Sequence, residues 1–378
     1  MTRRRGFGSV RRLPSGRWQA RHGTDDGGMV PAPATFPTKR DADDWLATVQ
    51  ADMSRGTWLD PRRSGVTLAA YAQGWLAQRT VKGRPLALRT VETYRGSLDR
   101  WMLPTLGRFE LSEITPAVVR RWHAEVSAAT GPTATRQAYA TLRAVLNTAV
   151  EDEALLRNPC RIRGAGQPTS PERPLLDREQ VESLAEAMPA HLRALVLVAF
   201  WAHLRLGEVL ALRRGDVNTE AGTVRVERQV VEVDAGPVET APKSASVRMV
   251  HLAAPGLEVV REHLASRGPM LRTARLFVRP DGTELRAHHV HAGWQAARAR
   301  LGFDETHFHD LRHAGLTLAA QTGATLAEVM RRAGHASSRA ALIYQHAAAS
   351  RDAEVAQRMG ASASRSGTRM ARGDRLTP

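Results

Sequence analysis

The stretch HLRLGEVLALRRGDV, residues 203 to 217, follows the apolar run ALVLVAFWA at 194 to 202 and sets Arg205 against a hydrophobic layer. That run is about half the length of a membrane span, so it reads as a buried helix. An arginine held there without a partner is costly. Arg205 therefore calls for either an ion pair with Glu208 at i+3 or an anionic ligand, and the two alternatives stand side by side.

Toward the C-terminus, HFHDLRHAG at 307 to 315 places His309 and Arg312 at i and i+3, on one face of a helix as it begins. Donors at a helix start suit an anion. The histidines 307, 309 and 313 also raise a metal site, but no acidic residue is spaced to complete a facial set. RRAGHASS at 331 to 338 puts His335 after a glycine turn. APKSASVRMVHL at 241 to 252 offers Lys243 in a polar connection ahead of a strand, where a lysine is either solvated or reaching into a cleft. In SSRAALIYQHAAAS, residues 337 to 350, the helical spacing groups Ala340, Ile343, Tyr344 and Ala347 on one face. Taken alone, Tyr344 there is a packing residue.

The 378 residues suffice for two or three domains. Lys+Arg 54 against Asp+Glu 38 gives a net charge of +16, which points to a polyanionic partner, nucleic acid before membrane. The N-terminal arginines lack an apolar h-region and so form no secretory signal. The single cysteine, Cys160, precludes an intrachain disulfide and a cysteine zinc cluster, which fits a reducing cytoplasm.

Residues 1 to 22 carry seven arginines and no acid. GSVRRL and RWQARH flank the turn signal PSG as strands, PAPATF suggests a third, and a helix starts at Thr38 with Asp41 as its capping-box partner. The expected domains are a β-sheet-plus-helix module over 1–58, a helical domain over 66–160, a mixed α+β domain over 175–360 and a disordered basic tail over 361–378. A polar linker is expected at 56 to 65. The helical domain is read from TLAAYAQGWLAQR, TVETYRGSLDRWM, TPAVVRRWHAEVSAA and TATRQAYATLRAVLNTAVEDE, with Thr115 as N-cap and Pro116 at N1. TVRVERQVVEV reads as one long strand and VRMVHL as a short one.

Taken in order, Arg205 in LRLGE, Lys243 in PKSASVR, His309 and Arg312 in HDLRH, His335 in AGH and Tyr344 in IYQH resemble the tyrosine recombinases of the phage-integrase type. The sequence departs from that pattern at His203, where the family carries glycine, with the following arginine still in register. The resemblance implies a multidomain, mainly α fold: an arm-type DNA-binding domain, a SAM-like core-binding domain and an α+β catalytic domain of the DNA breaking-rejoining type. It implies an enzyme that cleaves and rejoins DNA through a covalent 3′-phosphotyrosine, integrating or excising a prophage or integrative plasmid.

On this pattern Tyr344 is the nucleophile, and Arg205 and Arg312 hold the non-bridging phosphate oxygens. His309 assists deprotonation, His335 hydrogen-bonds the phosphate, and Lys243 protonates the leaving 5′-oxygen. No metal or other cofactor is required. The implied partners are double-stranded DNA carrying attachment sites, three further copies in a homo-tetrameric synapse, and accessory DNA-bending or directionality proteins, with no membrane. The implied location is the cytoplasm, on the nucleoid. Two other functions fit part of the pattern: a type IB topoisomerase-like relaxing enzyme, and a noncatalytic DNA-binding regulator in which Tyr344 only packs.

Overall fold

A computed structural model describes residues 7–23, 28–167, 175–242 and 247–334. The chain divides into two compact units, Met1–Ser170 and Pro171–Pro378.

The first unit holds two separate cores. Strands β1 (Gly8–Arg12), β2 (Trp18–Gly23) and β3 (Met29–Pro31) form an antiparallel sheet. The β1–β2 turn closes at Gly16, whose φ of 81° is open to glycine at little cost. The third strand is Met29–Pro31, which takes in only the first residue of PAPATF; beyond it Ala32 donates its N–H to the Ala20 carbonyl and Phe36 bridges to Trp18. Prolines in that segment lack the N–H a ladder needs. Helix α1 (Lys39–Ser54) is capped by Thr38 and Asp41 as the sequence predicts, and it packs Ala42 and Leu46 on Ala20 of the sheet. Trp58 stands edge-on to the buried His22 at 4.8 Å, so the start of the expected linker belongs to this module. Arg11, Arg12 and Arg17 are exposed.

After a short helix α2 (Pro61–Ser64), the second core is helical: α3 (Leu68–Gln78), α4 (Leu88–Ser97), α5 (Leu103–Leu106), α6 (Pro116–Ala129) and α7 (Pro132–Glu151). A small hairpin of β4 (Thr80–Val81) and β5 (Arg84–Pro85) turns through Lys82 and Gly83, both at positive φ. The sequence predicts one helix through TVETYRGSLDRWM, but a π-helical turn at Leu98–Met102 separates α4 from α5. Pro104 has no N–H to continue the regular ladder there. Thr115 caps α6 and Pro116 occupies its first turn, as expected. Met102, Trp122, Tyr139, Leu142 and Leu146 fill this core, and the indole N–H groups of Trp75 and Trp122 donate to Thr148 Oγ1 (3.0 Å) and the Trp101 carbonyl (2.6 Å).

In the second unit, α9 (Ala190–Trp201) is the central helix, with Leu195 to Phe200 all buried. Helices α8 (Arg178–Ala187), α11 (Ala254–Arg267) and α13 (Asp310–Gln321) pack around it, and α12 (Ala287–Leu301) packs on α8. Its apolar character on every side is what a helix surrounded by other helices requires. Short α10 (Leu206–Ala211) follows α9. The expected long strand is broken in two: β7 (Thr223–Val226) pairs with β6 (Val217–Asn218) and β10 (Arg248–His251), whereas β8 (Gln229–Val233) pairs with β9 (Gly236–Thr240) in a separate hairpin. The break falls at Glu227–Arg228, where Arg228 is drawn out of the ladder onto Asp216 at 2.6 Å. Helix α14 (Leu326–Ala333) packs on α13 through Leu316, Ala320, Val329 and Ala333 and ends at Gly334 with φ 60°.

Candidate active site

Three elements of the second unit bring charged side chains together around one carboxylate. Glu208, on α10, is fully buried. Arg205 is the N-cap of that helix, donating its backbone N–H to Glu208 Oε2 at 3.0 Å and Nη1 to Oε1 at 2.8 Å. Arg248 reaches in from β10 and forks onto both oxygens, at 3.1 and 2.8 Å. Arg312, on α13, stands 3.8 Å from Oε2. Burial pushes the Glu208 carboxyl up, but the Arg248 fork and charge, with the bonds and charge from Arg205, outweigh it and hold the pKa below the usual carboxylate range. Of the two alternatives for Arg205, the ion pair is present, and it leaves 22% of that side chain open.

Among the described residues three guanidiniums face this one carboxylate, which favours an anion at the cluster's open face. Arg205 supplies that face. Arg312 lies deeper, 1% exposed, with Nη1 donating to the His203 carbonyl at 2.5 Å and Nη2 to the Ala333 carbonyl. His309 is the N-cap of α13, edge-on to His313 at 4.8 Å. Desolvation by the surrounding protein, then the charges of His313, Arg312 and Arg205, push its pKa down to about 4 against an opposing pull from Asp310. His309 is thus a neutral imidazole at pH 7, able to accept a proton. A phosphate anion docking on the same arginines offsets their field and raises its basicity.

The structure therefore gathers Arg205, His309 and Arg312. Lys243, His335 and Tyr344 lie outside the described residues, as does the tail over 361–378. His307 turns to its own loop, donating its backbone N–H to Asp310 Oδ2 (2.7 Å), and among the described residues no three His, Cys, Asp or Glu side chains are grouped to hold a metal. Among the described residues no helix is long and apolar enough to cross a membrane.

Sequence reasoning missed Arg248 and the full role of Glu208. A signal was available: alternation in β10 puts Arg248 and Val250 on the buried face, and an inward arginine on a strand demands an acid. It also missed what His203 does. The turn from α9 to α10 needs a left-handed residue, and His203 adopts φ 55° there while 4% exposed. This conformation explains why glycine suits the position.

Residues 174–351 match the Phage integrase family, a stretch that runs through all six candidate positions, and residues 6–55 match the phage integrase N-terminal domain. The chain is 40% identical over 362 residues to the "Putative prophage phiRv2 integrase" of Mycobacterium tuberculosis, covering 93% of this chain and 95% of that protein. Among solved structures it resembles a Tn1549 transposon integrase in complex with a circular intermediate DNA (TM-score 0.63, 17% identity, 74% of this chain and 94% of that one). It also resembles a lambda integrase tetramer bound to a Holliday junction (TM-score 0.59, 16% identity, 90% of this chain and 96% of that one). At these identities the two structures speak for the fold.

Proposed function

The chain belongs to the phage integrase family and is a site-specific tyrosine recombinase, a DNA strand transferase; from that premise we propose that Tyr344 is its nucleophile and Arg205, Lys243, His309, Arg312 and His335 its supporting set. The Tyr344 phenol oxygen forms a bond to the scissile phosphorus while the bond to the 5′-oxygen breaks. Lys243 gives that oxygen its proton, and His309 takes up the phenol proton. Arg205 and Arg312, with His335, stabilise the charge on the non-bridging oxygens. A second strand's 5′-hydroxyl then attacks the phosphotyrosine, reforms a phosphodiester and releases Tyr344. Bond energy is conserved, so no nucleotide cofactor enters the reaction.

The observation that carries this is the cationic cluster, in which Arg205, Arg312 and a neutral His309 share one electrostatic field. Incubation with a nicked suicide duplex bearing the element's own attachment site is expected to give a protein–DNA adduct that survives denaturation and is absent in Tyr344→Phe. No adduct from the wild type on that site overturns the assignment. A noncatalytic regulator would show no difference between the two proteins. Relaxation of a supercoiled plasmid lacking the site would favour topoisomerase-like action.

Residues 1–58, with exposed Arg11, Arg12 and Arg17, we read as the arm-type DNA-binding domain, and residues 66–160 as the core-binding domain. Deleting residues 1–58 is expected to weaken binding to flanking DNA and leave cleavage at a core site intact, checked by mobility shift and adduct yield; lost cleavage on a bound core site counts against this division. DNA is the partner, and the lambda integrase tetramer on a Holliday junction supports a homo-tetrameric synapse. Accessory DNA-bending or directionality proteins complete the reading, and action on chromosomal attachment sites places the enzyme in the cytoplasm, on the nucleoid.

A further inference from the structure

His203 replaces a glycine of the family pattern, and its left-handed backbone is one that a side chain disfavours. Glycine would satisfy the turn, so the ring has to be accounted for separately. Its Nδ1 lies 2.9 Å from the Phe200 carbonyl, an acceptor only, so the proton sits on Nδ1. Nε2 is then a lone pair, and Arg332 donates its Nε–H to it at 3.0 Å. Arg332 is also held by the His251 carbonyl, at 3.1 Å from Nη2, and its own carbonyl accepts Arg248 Nε at 3.0 Å. One residue on, the Ala333 carbonyl accepts Arg312 Nη2, while Arg312 Nη1 returns to the His203 carbonyl at 2.5 Å. The result is a closed ring of bonds: His203 to Arg332, along the backbone to Ala333, to Arg312, and back to His203.

Opposite the imidazole, the chain has made room. A Cβ on Gly315 of α13 would sit 2.6 Å from His203 Nδ1 and 2.3 Å from the Phe200 carbonyl, so the ring fits only because residue 315 is glycine. Burial first, then the Arg332, Arg312 and Arg248 charges, push the imidazole pKa down to about 3 against the Phe200 bond, so the ring stays a neutral acceptor for Arg332.

We propose that His203 is a positioning residue: its imidazole fixes the end of α14 through Arg332, and thereby holds the two carbonyls that set the Arg312 guanidinium in place for phosphate. This rests on Arg312 being a phosphate ligand of the recombination reaction. Glycine at 203 would keep the turn and one of the carbonyls but release α14 from it.

The test uses the full chain on the suicide duplex described above. His203→Gly is expected to melt near the wild-type temperature and to bind the duplex with unchanged affinity, while forming the covalent adduct at least about tenfold more slowly. His203 lines an open depression of about 700 Å³, so added imidazole can reach the vacated place and is expected to restore part of the rate. Arg332→Gln should slow the adduct similarly, and the double variant should be no slower than the slower single one. Adduct formation by His203→Gly at the wild-type rate overturns the proposal. So does a loss matched by equal losses of melting temperature and DNA affinity, or an additive double variant. Should His203→Gly not fold, His203→Asn, which tolerates the left-handed backbone but is too short for Arg332, is measured in the same way; failure of both makes the ring purely structural. A wild type that forms no adduct instead sinks the recombinase assignment itself.

Discussion

Replacing Glu208 with alanine removes the carboxylate that Arg205, Arg248 and Arg312 share. Glu208 is fully buried and the Arg248 side chain 4% exposed, so neither water nor salt readily takes over the lost charge. Breaking a buried pair by deleting one partner costs about 3–5 kcal/mol, since it strands the other charge. Here Arg248 loses both of its bonds to the carboxylate, which places Glu208→Ala within that range. For a folding unit of about 200 residues, each kcal/mol moves the melting temperature by about 2–4 °C, so a fall of roughly 6–20 °C is expected. Thermal unfolding followed by circular dichroism, at low and high salt, measures it. Glu208→Gln keeps the shape and one acceptor and should fall between wild type and alanine. Pairing Glu208→Leu with Arg248→Met should recover part of the loss, because it removes both members of the bidentate pair. A melting temperature within about 2 °C of wild type for Glu208→Ala would refute the idea that this carboxylate organises the cluster.

Two further outcomes follow from the same unit. Gly315→Ala drives a Cβ into the Phe200 carbonyl and the His203 ring, at 2.3 and 2.6 Å, and overpacking of that kind costs about 1–3 kcal/mol, read as a lowered denaturant midpoint. Acid should destabilise the second unit early. His203 has its pKa depressed to about 3 in the folded chain, whereas the unfolded chain titrates near the ordinary ~6.5. Its contribution is whole above pH ~6.5 and declines by up to about 1.4 kcal/mol per pH unit as the unfolded chain takes the proton first, down to about pH 3. Glu208, also depressed, adds to the loss below the carboxylate range. Denaturant titrations between pH 7 and pH 4 should show a shallower slope for His203→Gly; equal slopes would exclude His203 as the source.

The parts of the fold that were readable in advance are those decided within a few residues. Thr38 with Asp41 and Thr115 with Val118 cap their helices by bonds spanning three positions, and α9 announces its burial by composition alone. Arg205 and Glu208 lie on adjacent positions of one turn, so their pairing was among the alternatives the sequence offered. Elements decided by distant partners were harder. The long valine-rich strand is broken because Arg228 finds Asp216 twelve residues back, and no local period encodes that choice. The third N-terminal strand starts two residues ahead of PAPATF and ends at its first residue, because ladder bonds depend on which N–H groups are free to pair.

Sequence alone determined the family pattern, the order of the six candidate residues and the basic charge, since motifs and net charge need no coordinates. Only tertiary structure decided which of the 54 lysines and arginines converge. Arg248 and Arg312 meet Glu208 across 40 and 104 positions of chain, and His203 meets Arg332 across 129. A buried charge selects its partners by proximity in the folded core, where the local dielectric makes an unmatched ion costly, and that proximity exists only once α9, α13, α14 and β10 have packed.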